Sequence, residues 1–188
     1  MYIDKDIHFG RPPFPESLSD AETACYDFLD SLGIEYARVD HEAAFTMEMC
    51  REVKTFMGLD VCKNLFLSNR SGKEIYLLVM PGDKPFKTSI VSKLIGTSRL
   101  SFASPELMEK CIGTAPGSAS ILGLLFDTEK KVRLVIDEDV FSEEYFGCHP
   151  CKNTASLKIK TETVRNAVIP ALGHTPTYIR IPYESCAE

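Results

Sequence analysis

The sequence contains no apolar run near the ~18 residues that a membrane helix needs. Its longest are Ile75–Met80 and Ile121–Phe126. The first residues, Met1-Tyr-Ile-Asp-Lys-Asp6, lack the basic start and apolar centre of a signal peptide. Together these absences predict a cytoplasmic protein with no membrane partner. No Gly-Lys-Ser/Thr closes a Walker loop, and no Gly-x-Ser-x-Gly marks a serine hydrolase. Repeats and low-complexity tracts are missing too. So is an excess of positive charge: 21 Lys+Arg against 27 Asp+Glu leave a net charge of -6. That balance excludes indiscriminate coating of nucleic acid, and no DNA partner is expected.

What is present is globular. Hydrophobic residues make up 44% of 188, and a chain of this size buries about 70% of its unfolded surface. One domain over residues 1–188 is predicted, with a Pro-rich extended arm at 1–17. Seven cysteines, an odd number, suit a reducing compartment.

Periodicity and punctuation predict the elements. A helix over 18–32 carries one apolar stripe of Ala21, Ala24, Cys25, Phe28, Leu29 and Leu32, with Ser17 or Ser19 as cap and Gly33 as stop. A strand follows at 34–39. Thr46 is placed to cap a helix over 47–57 that Gly58 closes. Residues 61–68 and 74–80 flank the turn Asn69-Arg-Ser-Gly72 as a hairpin. A third helix spans 87–95, stopped at Gly96. Ser104-Pro105 opens a fourth, to about Cys111. Residues 121–126 and 132–137 are predicted to pair as strands, 155–160 to form another strand, and 178–181 a last short one. Thr161 is placed to cap a final helix to Leu172. The fold class is therefore α+β, a mostly antiparallel mixed sheet or partly closed barrel wrapped by helices.

Three segments could carry chemistry. In Cys62-Lys63-Asn64-Leu65-Phe66-Leu67 a cation and an amide open an otherwise apolar strand, which suits a phosphate or carbonyl at a pocket rim and equally a solvated strand end. Gly113-Thr114-Ala115-Pro116-Gly117-Ser118 is either a plain connection or a tight loop whose N–H groups face an anion or carbonyl. Gly147-Cys148-His149-Pro150-Cys151 contains a Cys-x-x-Cys. A thioredoxin-type pair opens a helix, yet a strand follows here; a structural zinc needs four ligands, and no second pair exists. His149, pinned by Pro150, is left as the chemical residue of that segment. His41, beside Phe45-Thr46, lines the same cleft or caps a turn. Finally, Lys84, Lys87, Lys93 and Arg99 give residues 84–99 four cations and no acid, the best local candidate for phosphate contact and otherwise a solvated helix face.

Taken in order, Lys63-Asn64-Leu65-Phe66-Leu67, Gly113-x-x-Pro116-Gly117-Ser118 and His149-Pro150 with Asn153-Thr154-Ala155 resemble the free-standing prolyl-tRNA editing proteins of the YbaK/ProX aminoacyl-tRNA deacylase superfamily. His41 with Phe45-Thr46 is similar to that family's early motif. The resemblance spans roughly residues 20–180 and is nearest the subgroup that clears alanine from proline tRNA. It implies a trans-editing hydrolase of mischarged Ala-tRNA(Pro), on a mixed barrel-like sheet wrapped by helices, with neither metal nor cofactor. It implies the tRNA acceptor end as partner and prolyl-tRNA synthetase as a transient one. By this resemblance Lys63 meets the backbone of the tRNA 3′ end, and Asn64 holds the terminal adenosine or aminoacyl group. The 113–118 loop, with Gly117, offers N–H groups to the developing oxyanion. His149 borders the aminoacyl pocket. Cys148 and Cys151 stand where apolar residues are expected, so Cys-tRNA(Pro), Ser-tRNA(Pro) or another aminoacyl-tRNA of the same superfamily is an alternative substrate. A non-catalytic tRNA- or synthetase-binding module and a thiol redox protein are the readings from other classes.

Overall fold

The computed structural model describes residues 2–43 and 47–183. Among the described residues the strands form two sheets rather than one, and no closed barrel. The first sheet is antiparallel, in the order β1 (His8–Phe9), β2 (Tyr36–Asp40), β8 (Ala155–Lys160), β7 (Tyr145–Cys148). The second is mixed. Its order is β5 (Leu100–Phe102), β3 (Lys63–Asn69), β4 (Ile75–Met80), β6 (Val132–Asp137), β9 (Thr177–Ile179). β3 and β4 form the predicted hairpin; β6 runs parallel to both β4 and β9.

Helix α1 (Asp20–Ser31) starts where its chemistry dictates. The Ser19 side chain accepts from the Glu22 N–H, and the Glu22 carboxylate reaches back to the Ser19 N–H, a reciprocal capping box. α2 (Met47–Met57) and α3 (Thr88–Leu94) occupy predicted spans, while the predicted cap of α2, Thr46, lies outside the described residues. α4 (Pro105–Ile112) begins on the Ser104 cap with Pro105 in its first turn. It ends on left-handed Gly113. One apolar face of each sheet meets the other in the main core. Phe66, Leu77, Val79, Leu134 and Ile136 of the mixed sheet join Tyr36, Phe146, Leu157 and Ile159 of the antiparallel one. Each large side chain buried there contributes about 1.5–3 kcal/mol.

Three expectations are corrected. Ile121–Leu125 is a 3-10 helix, not a strand. Ser120 caps it through the Leu122 N–H, and a Cβ on Gly123 would stand 2.9 Å from the Ile112 carbonyl. A fully buried apolar run has no periodicity to separate helix from strand. β6 therefore finds its partners in distant segments instead of a hairpin. Thr161 begins the last helix but does not cap it, and its hydroxyl is buried without a partner among the described residues. That helix is split: α5 (Thr161–Thr163), a π-helical turn at Val164–Val168, then α6 (Ile169–Leu172), with Pro170 unable to donate in the helix ladder. The N-terminal arm is partly tied down. β1 pairs with β2, and Arg11 bridges Asp27 at 2.6 Å and Asp30 at 2.7 Å on α1. No helix among the described residues is long and apolar enough to cross a membrane.

Candidate active site

The two sheets touch where Val61 bridges Gly147 and the Cys62 N–H donates to the Gly147 carbonyl at 3.0 Å. Beside that contact opens a cavity of about 470 Å³. Its walls come from separate parts of the chain. The start of β3 supplies Lys63 and Asn64, and α2 supplies Arg51 and Lys54. Gly117 and Ala119 form another wall, His149 and Asn153 follow β7, and Ala155 and Ser156 open β8. Sequence distance is bridged here by the sheet-to-sheet contact.

Lys63 is half-buried, and its Nζ donates to the Lys84 carbonyl at 2.7 Å. Burial pulls its ammonium below the usual lysine range, and the nearby Asp83 charge only partly offsets this. An ammonium has three donors. One is taken by Lys84, so two remain for oxygens in the cavity.

Asn64 donates through Nδ2 to the Cys62 carbonyl at 3.1 Å. That bond fixes which end of the amide is which and leaves Oδ1 as an acceptor. Oδ1 is buried without a partner among the described residues, as are Nδ2 of Asn153 and Nδ1 of His149. All three residues line the cavity. Unpartnered buried polar atoms are rare because each costs about 1–3 kcal/mol. Three around one cavity mark a place where a ligand supplies the missing partners.

His149 is held by its backbone. Its carbonyl accepts from Ser120 Oγ at 2.6 Å and from the Cys151 N–H at 2.9 Å, closing a tight turn over Pro150. Burial pushes the imidazole down to about 4, and the nearby His41 adds to this; a backbone hydrogen bond with Ala119 opposes both. His149 is therefore neutral at pH 7, able to orient water or substrate without repelling a cation. A stability consequence follows. Between pH 6.5 and about 4 the unfolded chain takes a proton that the folded ring refuses. Stability should thus fall as pH drops through that window, and His149 contributes nothing above it. The expected loss from pH 7 to pH 5 is about 2 kcal/mol at most. Urea midpoints at both pH values should show a smaller difference in His149→Gln than in the parent.

His41 also lines the cavity, but both its ring nitrogens are engaged. Nδ1 donates to the Glu42 carbonyl at 2.8 Å, so Nε2 accepts from the Ser156 hydroxyl at 2.9 Å. It is a supporting wall. Phe45 and Thr46 lie outside the described residues. Of the 113–118 loop, only Gly117 borders the cavity, at a left-handed φ of 87°. Gly113 caps α4, and Thr114 is buried with its hydroxyl unpartnered among the described residues. Ala115 and Pro116 are exposed away from the cavity, and Ser118 turns back to the Ala115 carbonyl. Among the predicted phosphate contacts, Lys87, Lys93 and Arg99 are exposed just before, on and after α3. Lys84 is not. Its side chain is 0% exposed, and its Nζ is bound to Asp137 and Asp139, each at 2.7 Å. A charge already neutralised in the interior cannot meet a phosphate.

The structure adds residues that sequence reasoning missed. Arg51 and Lys54 bring two cations one helical turn apart to the cavity mouth, Lys54 paired with Asp60 at 2.5 Å. Their i, i+3 spacing was a readable signal. Asn153 stands in the third motif, where the sequence reading gives it no role; the structure puts it in the cavity wall. Cys148 and Cys151 are both buried, and burial raises the Cys148 thiol well above its usual range. That is the opposite of a reactive thiolate, so the geometry gives the Cys-x-x-Cys redox reading no support.

Residues 41–167 match the aminoacyl-tRNA editing domain. The chain is 29% identical over 156 residues to the prolyl-tRNA editing protein ProX of Acetoanaerobium sticklandii, covering 83% of this chain and 94% of that protein. It is 30% identical over 136 residues to prolyl-tRNA synthetase associated domain-containing protein 1 of Danio rerio, covering 71% and 73%. A solved structure described as a proposed trans-editing enzyme for prolyl tRNA synthetase superimposes with a TM-score of 0.64, over 88% of this chain and 99% of that one. Its 16% identity makes this a likeness of fold. With the domain matched across the whole wall of the cavity, from His41 to Ser156, the chain belongs to the aminoacyl-tRNA editing domain family.

Proposed function

We propose that this protein is a trans-editing hydrolase that cleaves the aminoacyl ester of mischarged Ala-tRNA(Pro). The observation that carries the reading is the trio of unpartnered polar atoms beside Lys63 in one cavity. Their polarity suits an aminoacyl ester. Asn64 Oδ1 accepts from the substrate's α-ammonium or a ribose hydroxyl. Asn153 Nδ2 donates to the ester carbonyl, whose oxygen gains charge as water attacks. Neutral His149 leaves Nδ1 for water or substrate. The two spare donors of Lys63 meet oxygens of the tRNA 3′ end, and exposed Lys87, Lys93 and Arg99 extend the cationic surface toward the acceptor stem.

Small side chains, Ala119, Ala155 and Cys62, are among those that line the cavity. A site for a methyl side chain fits them better than one for a proline ring. The reaction answers a physical problem. A synthetic site large enough for proline cannot exclude alanine by size, and a methylene-scale difference supplies only about 1–3 kcal/mol. A second, smaller site restores the discrimination.

The test is a deacylation panel with purified protein and Ala-, Cys-, Ser- and Pro-tRNA(Pro). Fast loss of alanine alone is the expected result. Preferential loss of cysteine assigns the other substrate. Binding without turnover of any of them defeats the enzymatic reading and leaves a tRNA- or synthetase-binding module.

A further inference from the structure

We propose that Lys84 is a positioning residue for Lys63, acting through its own main-chain carbonyl; the inference rests on the functional reading above. The side chain of Lys84 is wholly buried. Its Nζ reaches Asp137 Oδ1 at 3.0 Å, Asp137 Oδ2 at 2.7 Å and Asp139 Oδ2 at 2.7 Å, so all its donors are consumed. Asp137 ends β6, is itself 0% exposed, and also accepts from the N–H groups of Asp139 and Ile181. The anchor is therefore the floor of the mixed sheet, not a flexible side chain.

From that anchor the geometry leads back to the cavity. The Lys84 N–H closes a turn on the Pro81 carbonyl at 3.3 Å. Within the turn, Gly82 lies so close to Val61 that a Cβ would stand 2.5 Å from the Val61 oxygen. The loop is pinned at both ends, by Lys84 below and Val61 above. What it presents is the Lys84 carbonyl, and Lys63 Nζ donates to it at 2.7 Å. Lys63 is a long, rotamer-rich side chain that would otherwise sample several positions. One fixed acceptor removes that freedom and aims the two remaining N–H groups. A buried charged trio is costly to assemble, and an apolar side chain could fill the same space. Its distinctive gain here is a carbonyl held in one place.

The experiment uses the full chain and the double variant Lys84→Met/Asp137→Asn, which removes both members of the fully buried ion pair and leaves the part-exposed Asp139 to Arg180. Asp139→Asn, which leaves the Lys84–Asp137 pair, is the milder companion should the double variant fold poorly. Four readouts are taken, the last being the salt dependence of tRNA binding. The first is single-turnover deacylation of Ala-tRNA(Pro), expected to fall about tenfold to a hundredfold as Lys63 loses its aim, and less in Asp139→Asn. The second is the same measurement in a Lys63→Ala background, where the Lys84 change should cost nothing further. The third is the Lys63 ammonium signal in proton–nitrogen NMR, expected in the parent and lost in the double variant. Salt dependence of tRNA binding should stay at the parent value, whereas Lys87→Ala lowers the slope by about 0.7–0.9. An unchanged deacylation rate, a full additional loss on top of Lys63→Ala, or a reduced salt slope overturns the proposal. If the parent hydrolyses no mischarged tRNA, the functional reading fails, and the NMR signal alone then decides whether Lys84 holds Lys63.

Discussion

Lys63→Ala should lower single-turnover deacylation of Ala-tRNA(Pro) by at least about a hundredfold, the scale of losing one positioned donor at a developing charge. The size follows from what the side chain is attached to. Lys63 stands at the first residue of β3, paired with Met80, so its backbone is locked in the sheet. Its Nζ is held on the Lys84 carbonyl, and burial has already stripped part of its hydration. An ammonium prepared in this way gives its full attraction to an incoming oxyanion or phosphate, because little water must leave first. Alanine removes the charge and leaves the sheet intact, so the unfolding free energy from urea titration should change by less than about 1 kcal/mol. Lys63→Arg is not expected to rescue fully. The guanidinium is planar and longer, and cannot hold one donor on Lys84 while aiming two others as a compact ammonium does. A Lys63→Ala protein that retains a rate within threefold of the parent would remove Lys63 from the chemistry.

Much of this arrangement was legible before any coordinates, and the boundary of legibility is physical. Local devices were readable. Ser19 with Glu22, Ser104 with Pro105, and Gly113 each act within a few residues, and the helices begin and end where they stand. The β3–β4 hairpin was equally local. Pairings made across the chain were not. β6 carries the pattern of a buried strand, but nothing in it states that β4 and β9 lie beside it, both parallel. The 121–125 segment is buried on every side, so its hydrophobicity marks the core and not the helix type. Charge has the same limit. Lys84 looks like its neighbours Lys87 and Lys93 in the sequence, yet Asp137 and Asp139, more than fifty residues on, draw it inside. For the site, Lys63, Asn64, Gly117 and His149 do line one cavity. Arg51 and Lys54 reach the same cavity from α2, outside the three motifs, whereas Asn153 lies within the third motif and its place in the wall is set by the turn after β7.

Gly147→Ala should damage stability and catalysis together, which follows from the place where the two sheets meet. A Cβ at residue 147 would lie 2.3 Å from Leu59 Cδ1, 2.9 Å from the Asp60 carbonyl oxygen and 2.9 Å from Val61 Cα. Leu59 can turn aside, but two of the three obstacles are backbone. The Val61–Gly147 bridge and the Cys62 N–H bond to Gly147 then stretch. Overpacking of this kind costs about 1–3 kcal/mol. The displaced segment runs directly into Lys63 and Asn64, and on the other side into His149. A shift of a few tenths of an ångström thus reaches both walls of the cavity at once, and the deacylation rate should fall about tenfold or more. Gly58→Ala separates this from general destabilisation. Gly58 has a φ of 66° and open space around it, so alanine there costs about 1–2 kcal/mol of backbone strain without touching the cavity. Urea unfolding and single-turnover rates on both variants decide the matter. Equal stability losses with a rate defect only in Gly147→Ala support the sheet junction as the element that sets the active-site geometry. A parent-like rate in a destabilised Gly147→Ala shows that residues 59–62 yield without moving Lys63, and the junction is then structural alone.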